Sequence, residues 1–296
     1  MITTISRRTT IKALGAALIA SCTLSSFGHL ASADPTLRFA VYGDCRDGHD
    51  VHRKLIDLMV KNDPSMVFQT GDLVHRGTDA SLWKIYDDIV APLIKKATLY
   101  PARGNHDFGG TGYADRMTAP FTSGNKDYYS LDRANCHFVI LDVDEHAEFG
   151  PETDQYKWLV SDLTKAKDAA QHIFVFFHVS PYSIGSHGPS AEVQEKLCPV
   201  FTKFGVRIVF TGHDHNYYHT SRKGITYVVT GGGGAPLYDT MPEKGAIKGD
   251  KYEKVNHCCI VEVNGADVNV RVLRVNGSEI EKFTVSAKPG ADPTAK

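Results

Sequence analysis

Five apolar runs in this chain of 296 residues are each followed by a short polar motif. The runs cover residues 37–42, 66–70, 98–102, 173–177 and 206–211, and their composition is typical of β-strands. The motifs are, in the same order, Gly43-Asp44, Gly71-Asp72, Gly104-Asn105-His106-Asp107, the single His178, and Gly212-His213-Asp214-His215. In open α/β sheets, ligands bind beyond the carboxyl ends of strands. We therefore expect these oxygen and imidazole groups to meet in one place.

Segments of helical period separate the strand-like runs, which predicts a layered α/β core between residues 37 and 210. The apolar positions of these helices are Leu82, Ile85 and Ile89; Leu159, Leu163, Ala166 and Ala170; and Val193, Leu197 and Phe201. We expect Asp79 to cap the first helix, which should end before Pro92. Pro199 should interrupt the third helix.

The pattern changes to alternation after His215. Residues 224–230, 259–263 and 268–275 alternate without helical stretches, and this favours a second, antiparallel sheet. The run Gly231-Gly232-Gly233-Gly234 is predicted to form a loop that passes close to another group. Residues 34–287 are interpreted as one domain, and residues 288–296 as a disordered tail.

The N-terminus resembles an export signal. Arg7 and Arg8 precede a short apolar stretch, as in twin-arginine signals, and a small-residue cleavage site would make Asp34 the first mature residue. Residues 1–33 are therefore assigned to the signal, which is too short in its apolar part to span a bilayer. A weaker lipoprotein-like site at Cys22 offers the alternative of a lipid anchor. We predict a periplasmic or secreted protein without a transmembrane span, or a membrane-tethered lipoprotein.

The charge of the predicted mature chain argues against long nucleic acids as partners. The whole chain has 33 basic and 34 acidic residues, and the first 33 residues contain three basic residues and no acidic one. Removing them leaves a formal charge of −4. Proteins that bind long nucleic acids usually present a basic surface. A small phosphate ester fits the motifs better.

The residue types in the five motifs suit metal ions. Carboxylates, an amide and imidazoles bind iron, manganese and zinc, so the identity of the metal stays open. Two cations roughly 3.5 to 4 Å apart can lower the pKa of a bridging water and neutralise a phosphoryl group. The sequence therefore predicts metal-assisted hydrolysis of a phosphate ester.

The ordered motifs resemble the calcineurin-like metallophosphoesterase superfamily, and within it the bacterial members that are similar to purple acid phosphatases. Gly-Asn-His-Asp and Gly-His-x-His are specific only in combination. The resemblance covers residues 37–237 and implies an α/β fold, a four-layer αββα sandwich of two mixed sheets. It also implies an exported binuclear enzyme that hydrolyses phosphomonoesters or phosphodiesters through a hydroxide that bridges two metal ions.

The resemblance also assigns roles to individual residues. Asp72 would bridge the metals, and His106 would stabilise or protonate the leaving oxygen. Asp107 would support the turn that carries His106. The remaining ligands would be Asp44 and His215 for the first metal, and Asn105, His178 and His213 for the second.

Two positions depart from the family pattern. Arg46 stands where many members have a metal-binding histidine, and His75 stands where purple acid phosphatases have a metal-binding tyrosine. We hypothesise that His75 supplies the missing ligand to the first metal. The alternative is that His75 orients His106 by a hydrogen bond. Arg46 could contact substrate or offset the carboxylate charge.

Further residues are candidates for substrate contact. Arg76 and His187 lie where related proteins hold phosphate-binding or substrate-facing side chains, although Arg76 could equally be a surface residue. Tyr217, Tyr218 and Tyr238 could form an aromatic wall or pack in the second sheet.

Two alternative functions use the same residues. One is a nucleotidase or nuclease, and the other is a non-catalytic phosphate-binding module with a degraded first metal site. The missing histidine in the first motif motivates the second alternative.

Overall fold

The computed structural model describes residues 36–116 and 126–285. The predicted signal and tail lie outside these ranges. The described strands are β1 Leu37–Tyr42, β2 Met66–Gln69, β3 Thr98–Pro101, β4 Tyr129–Arg133, β5 Cys136–Ile140, β6 His172–Val179, β7 Ile208–Gly212, β8 Tyr217–Arg222, β9 Ile225–Thr230, β10 Lys251–Glu253, β11 His257–Asn264, β12 Asp267–Arg274 and β13 Glu279–Val285. The helices are α1 His49–Asn62, α2 Ala80–Ile94, α3 Gly112–Arg116, α4 Asp154–Ala169, α5 Ala191–Lys196 and α6 Cys198–Phe204, and two short 3₁₀ helices cover Asn105–Asp107 and Pro242–Lys244.

The strands form two mixed sheets. The first has the order β13-β12-β11-β1-β2-β3, and the second has the order β10-β8-β9-β7-β6-β5-β4. In the first sheet, β1, β2 and β3 are parallel, and β11 pairs antiparallel with β1. In the second, β5, β6, β7 and β9 are parallel neighbours. The chain is therefore an α/β protein with two mixed sheets, as predicted.

The prediction of a separate antiparallel sheet after His215 is wrong. Strands β8 and β9 join the second sheet, whereas β11 to β13 extend the first. Alternation of apolar and polar residues shows which face of a strand is buried, but it does not identify the strand that pairs with it. The C-terminal strands thus complete both sheets.

The apolar contacts define four layers. Phe39 of β1 packs edge-on against Phe138 and Phe174 of the second sheet, at ring-centroid distances of 5.4 and 5.3 Å. On the other face of β1, the hydroxyl of Tyr42 lies 3.0 Å from Nε2 of His52 in α1. On the outer face of β6, Ile173, Val175 and Phe177 pack with helices α4 and α6. Helices thus cover the outer faces of both sheets.

The helix boundaries test the sequence predictions directly. The Asp79 cap is confirmed, because its carboxylate accepts a hydrogen bond from the amide of Ser81 at 2.9 Å. The predicted end before Pro92 is wrong, since α2 continues to Ile94. The burial of Val90 and Leu93, which lie beside Pro92 in this last part of the helix, offsets the loss of the amide that Pro92 cannot donate. Pro199 lies in the first turn of α6 and separates it from α5, as predicted.

Among residues 36–116 and 126–285, none of the helices has the length and apolar character needed to cross a lipid bilayer.

The imidazole of His137 ties strand β4 to helix α4, and this contact predicts a pH-dependent stability. Its ring nitrogens lie 2.7 Å from Asp132 Oδ1 and 2.9 Å from Asp162 Oδ2. Burial lowers the pKa of His137, but the two carboxylates outweigh burial, so the net shift is upward. The stabilisation is therefore complete below the unfolded pKa of about 6.5 and is lost as the pH rises through the folded pKa.

We expect His137→Gln to lower the free energy of unfolding by on the order of 1 kcal/mol at about pH 5.5, and by less at about pH 8.5. Urea denaturation at both pH values measures the difference. An equal loss at the two pH values would contradict a charged bridge.

Candidate metal centre

The predicted ligands lie together beyond the carboxyl ends of five strands from both sheets. Asp44 follows β1, Asp72 follows β2 and Asn105 follows β3. His178 is the penultimate residue of β6, and the pair His213 and His215 follows β7. Because these strands end at the same rim of the sandwich, the side chains face one another.

Three of the predicted ligand residues have left-handed backbone conformations. The φ angles are 55° at Asp44, 55° at Asp72 and 69° at His213. Such values are uncommon outside glycine and persist where surrounding contacts hold them. Here the amide of Asp44 donates to the carbonyl of Gly71 at 2.9 Å, and the amide of His213 donates to Asp44 Oδ1 at 3.1 Å.

The glycines of the motifs make room for the carboxylates. A Cβ atom on Gly104 would lie 2.4 Å from Asp72 Oδ1, and one on Gly212 would lie 2.3 Å from Asp44 Oδ2. The glycine run after β9 also passes the site, since a Cβ on Gly231 would lie 2.9 Å from Asp44 Oδ2. The predicted close approach of this run is confirmed, and the group that it approaches is a predicted ligand.

In one half of the centre, three side-chain atoms of other predicted ligands lie around Nε2 of His178. Its Nδ1 lies 2.8 Å from the carbonyl oxygen of Thr70 and donates to it. When the ring is neutral, it presents a lone pair on Nε2, which lies 3.0 Å from Asn105 Oδ1, 3.2 Å from His213 Nδ1 and 3.4 Å from Asp72 Oδ1. Nitrogen and oxygen atoms of the types that bind cations therefore lie close to Nε2 of His178.

The other half contains Asp44, Asp72 and His215, all of which are buried. One ligand atom from each lies within 4.8 Å of the other two. His215 donates from Nδ1 to the carbonyl of Pro236 at 2.7 Å, so its Nε2 faces Asp44 Oδ1 at 3.5 Å. This set of two carboxylates and one imidazole also fits a divalent or trivalent cation.

The surroundings shift the pKa values of the predicted ligands in different directions. Burial lowers the pKa of His178, but the carboxylates of Asp72 and Asp44 outweigh burial, so the net shift is upward. Burial, assisted by the neighbouring His178 and His187, lowers the pKa of His213 to about 2, so its ring is neutral. Burial opposes ionisation of Asp72, but His178 and His106 outweigh it and lower the pKa of that carboxyl group. The site therefore presents a charged carboxylate beside a neutral imidazole.

His106 and Asp107 belong to the short helix after β3. Nδ1 of His106 lies 2.8 Å from the carbonyl oxygen of His75, and its Nε2 lies 4.0 Å from Asp72 Oδ2. The side chain is 29% exposed, so it borders both the cluster and solvent.

Asp107 is buried and accepts from three backbone amides. These are the amides of Leu73 at 2.8 Å, Val74 at 3.2 Å and Gly104 at 2.9 Å. Burial, together with the charge of Asp72, raises its pKa to about 7. Its carboxyl group is thus engaged with the loops that follow β2 and β3.

The structure brings the ring of His75 to Asp47 and not into the buried cluster. Its side chain is 49% exposed, and Nδ1 lies 3.1 Å from Asp47 Oδ2. The hydrogen bond of His106 is to the carbonyl of His75 and not to its ring, although the two rings are also neighbours with centroids 5.3 Å apart. The direction of the His75 ring could not be predicted from spacing along the chain, because it depends on the contact with Asp47. The sequence analysis did not single out Asp47. A metal-binding role for His75 stays a prediction.

Arg46 lies beside the carboxylates at the position of the missing histidine. Its Nε donates to Asp72 Oδ2 at 3.2 Å, and one of its terminal nitrogens donates to Asp47 Oδ2 at 2.8 Å. Arg46 therefore contacts a carboxylate whose negative charge it can offset, which was one of the two roles considered for it.

The candidate substrate residues are placed differently. The ring of His187 lies over that of His213, with centroids 3.9 Å apart, and His187 is exposed. Arg76 is exposed on the turn that follows His75. Tyr238 stacks on His215 at 4.1 Å, whereas Tyr217 and Tyr218 are buried in the second sheet. Among the described ring contacts, Tyr238 is the one of these three tyrosines that stacks on a predicted ligand.

Asp214 has a positioning role that the sequence analysis missed. Its carboxylate accepts from the amides of His187 at 2.9 Å and Gly188 at 3.1 Å, and from the hydroxyl of Ser183 at 2.5 Å. It therefore holds the loop that carries His187. Its place between two predicted ligands in the Gly-His-Asp-His motif was the signal that could have identified it.

Comparisons with known proteins agree with this geometry. A family model described as calcineurin-like phosphoesterase matches residues 37–217. Purple acid phosphatase 22 of Arabidopsis thaliana is 29% identical over 167 residues, which are 51% of this chain and 38% of that protein. Purple acid phosphatase 23 of the same plant is 27% identical over 230 residues, 65% of this chain and 49% of that protein. The chain spans about half the length of these curated relatives, or less.

A solved purple acid phosphatase, PPD1 from yellow lupin (Lupinus luteus) seeds, shares the fold with a TM-score of 0.76. It is 18% identical and aligns over 86% of this chain and 54% of that chain. The segment matched by the family model is more than half of the chain and contains all five motifs. The chain therefore belongs to the calcineurin-like phosphoesterase family.

Proposed function

We propose that this protein is an exported, metal-dependent phosphoesterase with two adjacent cation positions, and that it hydrolyses phosphomonoesters or phosphodiesters. The observation that carries the proposal is the convergence of acceptor atoms from five strand ends beside the partly exposed His106. The purple acid phosphatase relatives support the same class of reaction.

The chain supplies a distinct set of ligands for each cation. Asp72 lies between the sets; Asn105, His178 and His213 form one, and Asp44 and His215 form the other. Bound cations would lower the pKa of a water molecule and neutralise charge on the phosphoryl oxygens. Iron, manganese and zinc all accept these ligands.

His106 is placed to give a proton to the leaving oxygen. The carbonyl of His75 holds Nδ1, so a protonated ring presents its second N–H, on Nε2, toward the cleft. His187, exposed above His213, is placed to donate to a phosphoryl oxygen. Arg76, on the adjoining turn, is the other candidate for this contact.

We expect His106→Gln to discriminate between leaving groups. An alkyl phosphate needs a proton on its leaving oxygen, so kcat/KM should fall by about 100- to 10,000-fold. Nitrophenolate leaves without a proton, so the loss for 4-nitrophenyl phosphate should be under about tenfold. Steady-state kinetics with added Mn²⁺ measure both.

His137→Gln, which changes a histidine at the opposite end of its strand from the centre, is the control and should leave both constants unchanged. Equal losses for the two substrates in His106→Gln would argue against proton donation. If the native protein binds phosphate but shows no turnover with Mn²⁺, Zn²⁺ or Fe²⁺, the non-catalytic alternative replaces the proposal.

A nucleotidase is the second candidate function, and an exposed aromatic pair favours it. Phe108, two residues after His106, is 47% exposed and stacks on His146 with a centroid distance of 4.4 Å and an interplanar angle of 28°. The guanidinium of Arg103 lies 5.4 Å from the Phe108 ring. Such a platform suits a flat base, since stacking of a base on an aromatic ring contributes about 1 to 3 kcal/mol.

We expect Phe108→Ala to raise KM for a nucleoside monophosphate by about 5- to 100-fold while leaving kinetics with glycerol phosphate unchanged. Ile94→Ala, which removes a similarly exposed apolar side chain from α2, is the matched control. An unchanged KM for the nucleotide would remove the argument for a base-binding platform.

Export is the part of the proposal that rests on the residues before Asp34. We expect protein recovered from the cell envelope to begin at Asp34, as N-terminal sequencing and intact mass would show. A mass that includes a diacylglyceryl group on Cys22 would instead support the lipid anchor. A chain that retains residues 1–33 after fractionation would contradict both.

A further inference from the structure

The contacts of Arg46 point to unequal affinities at the two cation positions. We infer that the position formed by Asn105, His178, His213 and Asp72 holds its cation tightly. The position formed by Asp44, Asp72 and His215 would hold its cation weakly and exchange it, because Arg46 already neutralises Asp72. This inference rests on the proposed function in that it assumes the chain binds metal.

Arg46 is fixed by ion pairs on two sides. Its Nε donates to Asp72 Oδ2 at 3.2 Å, and its terminal nitrogen donates to Asp47 Oδ2 at 2.8 Å. The side chains of Arg46 and Asp72 are only 10% and 2% exposed, so solvent screens this pair weakly. The guanidinium therefore occupies one oxygen of the carboxylate that both cation positions need.

Asp47 directs His75 away from the cation. The same oxygen, Asp47 Oδ2, receives Arg46 and lies 3.1 Å from Nδ1 of His75. The chain Asp72–Arg46–Asp47–His75 is thus a continuous set of contacts. Arg46 thus places a positive charge where the family has a metal-binding histidine. Asp47 also engages the ring of His75, which was predicted to supply the missing ligand.

The two positions consequently differ in ligands and in local charge. The position inferred to be tight has four candidate ligand residues, three of which place an atom within 3.4 Å of His178 Nε2. Its carboxylate oxygen, Asp72 Oδ1, is not the one that Arg46 contacts. The weak position has three ligand residues and shares Asp72 with a fixed guanidinium. A cation there meets like charge from Arg46, so it loses affinity relative to its neighbour.

Direct measurement of Mn²⁺ binding tests the inference without relying on activity. The full-length protein, freed of metal by a chelator, is dialysed against buffers of fixed free Mn²⁺, and metal per chain is determined by elemental analysis. We expect one Mn²⁺ per chain at low free concentration and the second only at a concentration at least about tenfold higher.

Substitutions at Arg46 should act on the second binding event alone. Arg46→Gln removes the charge, and Arg46→His also supplies a ligand, so either should strengthen the weaker event by about 10- to 100-fold. Arg53→Gln, which removes an exposed arginine from α1, is the matched control and should change neither event. Asn105→Ala should weaken the tighter event and so identify its position.

The outcomes separate the inference from the proposed function. Equal affinities for two Mn²⁺ in the native protein, or an unchanged second event in a folded Arg46→Gln variant, would overturn the inference and leave the phosphoesterase proposal intact. No Mn²⁺, Zn²⁺ or Fe²⁺ bound by the native protein would overturn both. The native binding curve decides the question even if the Arg46 variants fail to fold.

Discussion

The structure depends on the charge of two buried aspartates. Asp44 and Asp72 are withdrawn from water almost completely and lie within 4.8 Å of each other through their ligand atoms. Two such carboxylates repel each other in a low-dielectric interior unless positive charge or hydrogen-bond donors compensate them. Backbone amides, imidazoles and the guanidinium of Arg46 provide that compensation.

The sandwich provides the rigidity that this arrangement needs. Stacked and edge-on phenylalanines connect the sheets, as with Phe68 and Phe176, whose rings are nearly parallel with centroids 4.1 Å apart. Interlocked aromatic rings of this kind resist relative sliding of the layers. The strand ends that carry the ligands are therefore fixed relative to one another, although they belong to different sheets.

Some features of this protein could be read from its sequence and others could not, for identifiable reasons. The five strands and their polar motifs were predictable, because apolar runs and glycine-flanked ligands are local signals. The strands that pair with β8 and β11 could not be predicted. Alternation of apolar and polar residues shows which face of a strand is buried but does not identify its neighbours in the sheet. The direction of the His75 ring was also inaccessible, because Asp47 lies 28 residues away along the chain. Likewise, the extension of α2 through Pro92 depends on burial in the folded core.

Strand β1 lies between β2, which follows it closely along the chain, and β11, which begins at His257. Asp44, just after β1, is held by an amide 169 residues further along. A ribosome must therefore synthesise most of the polypeptide before the first ligand can adopt its final conformation. Contacts of such long range slow folding, because a large loop must close before they form. The rim that carries Asp44 is consequently incomplete until segments far apart in the sequence have come together.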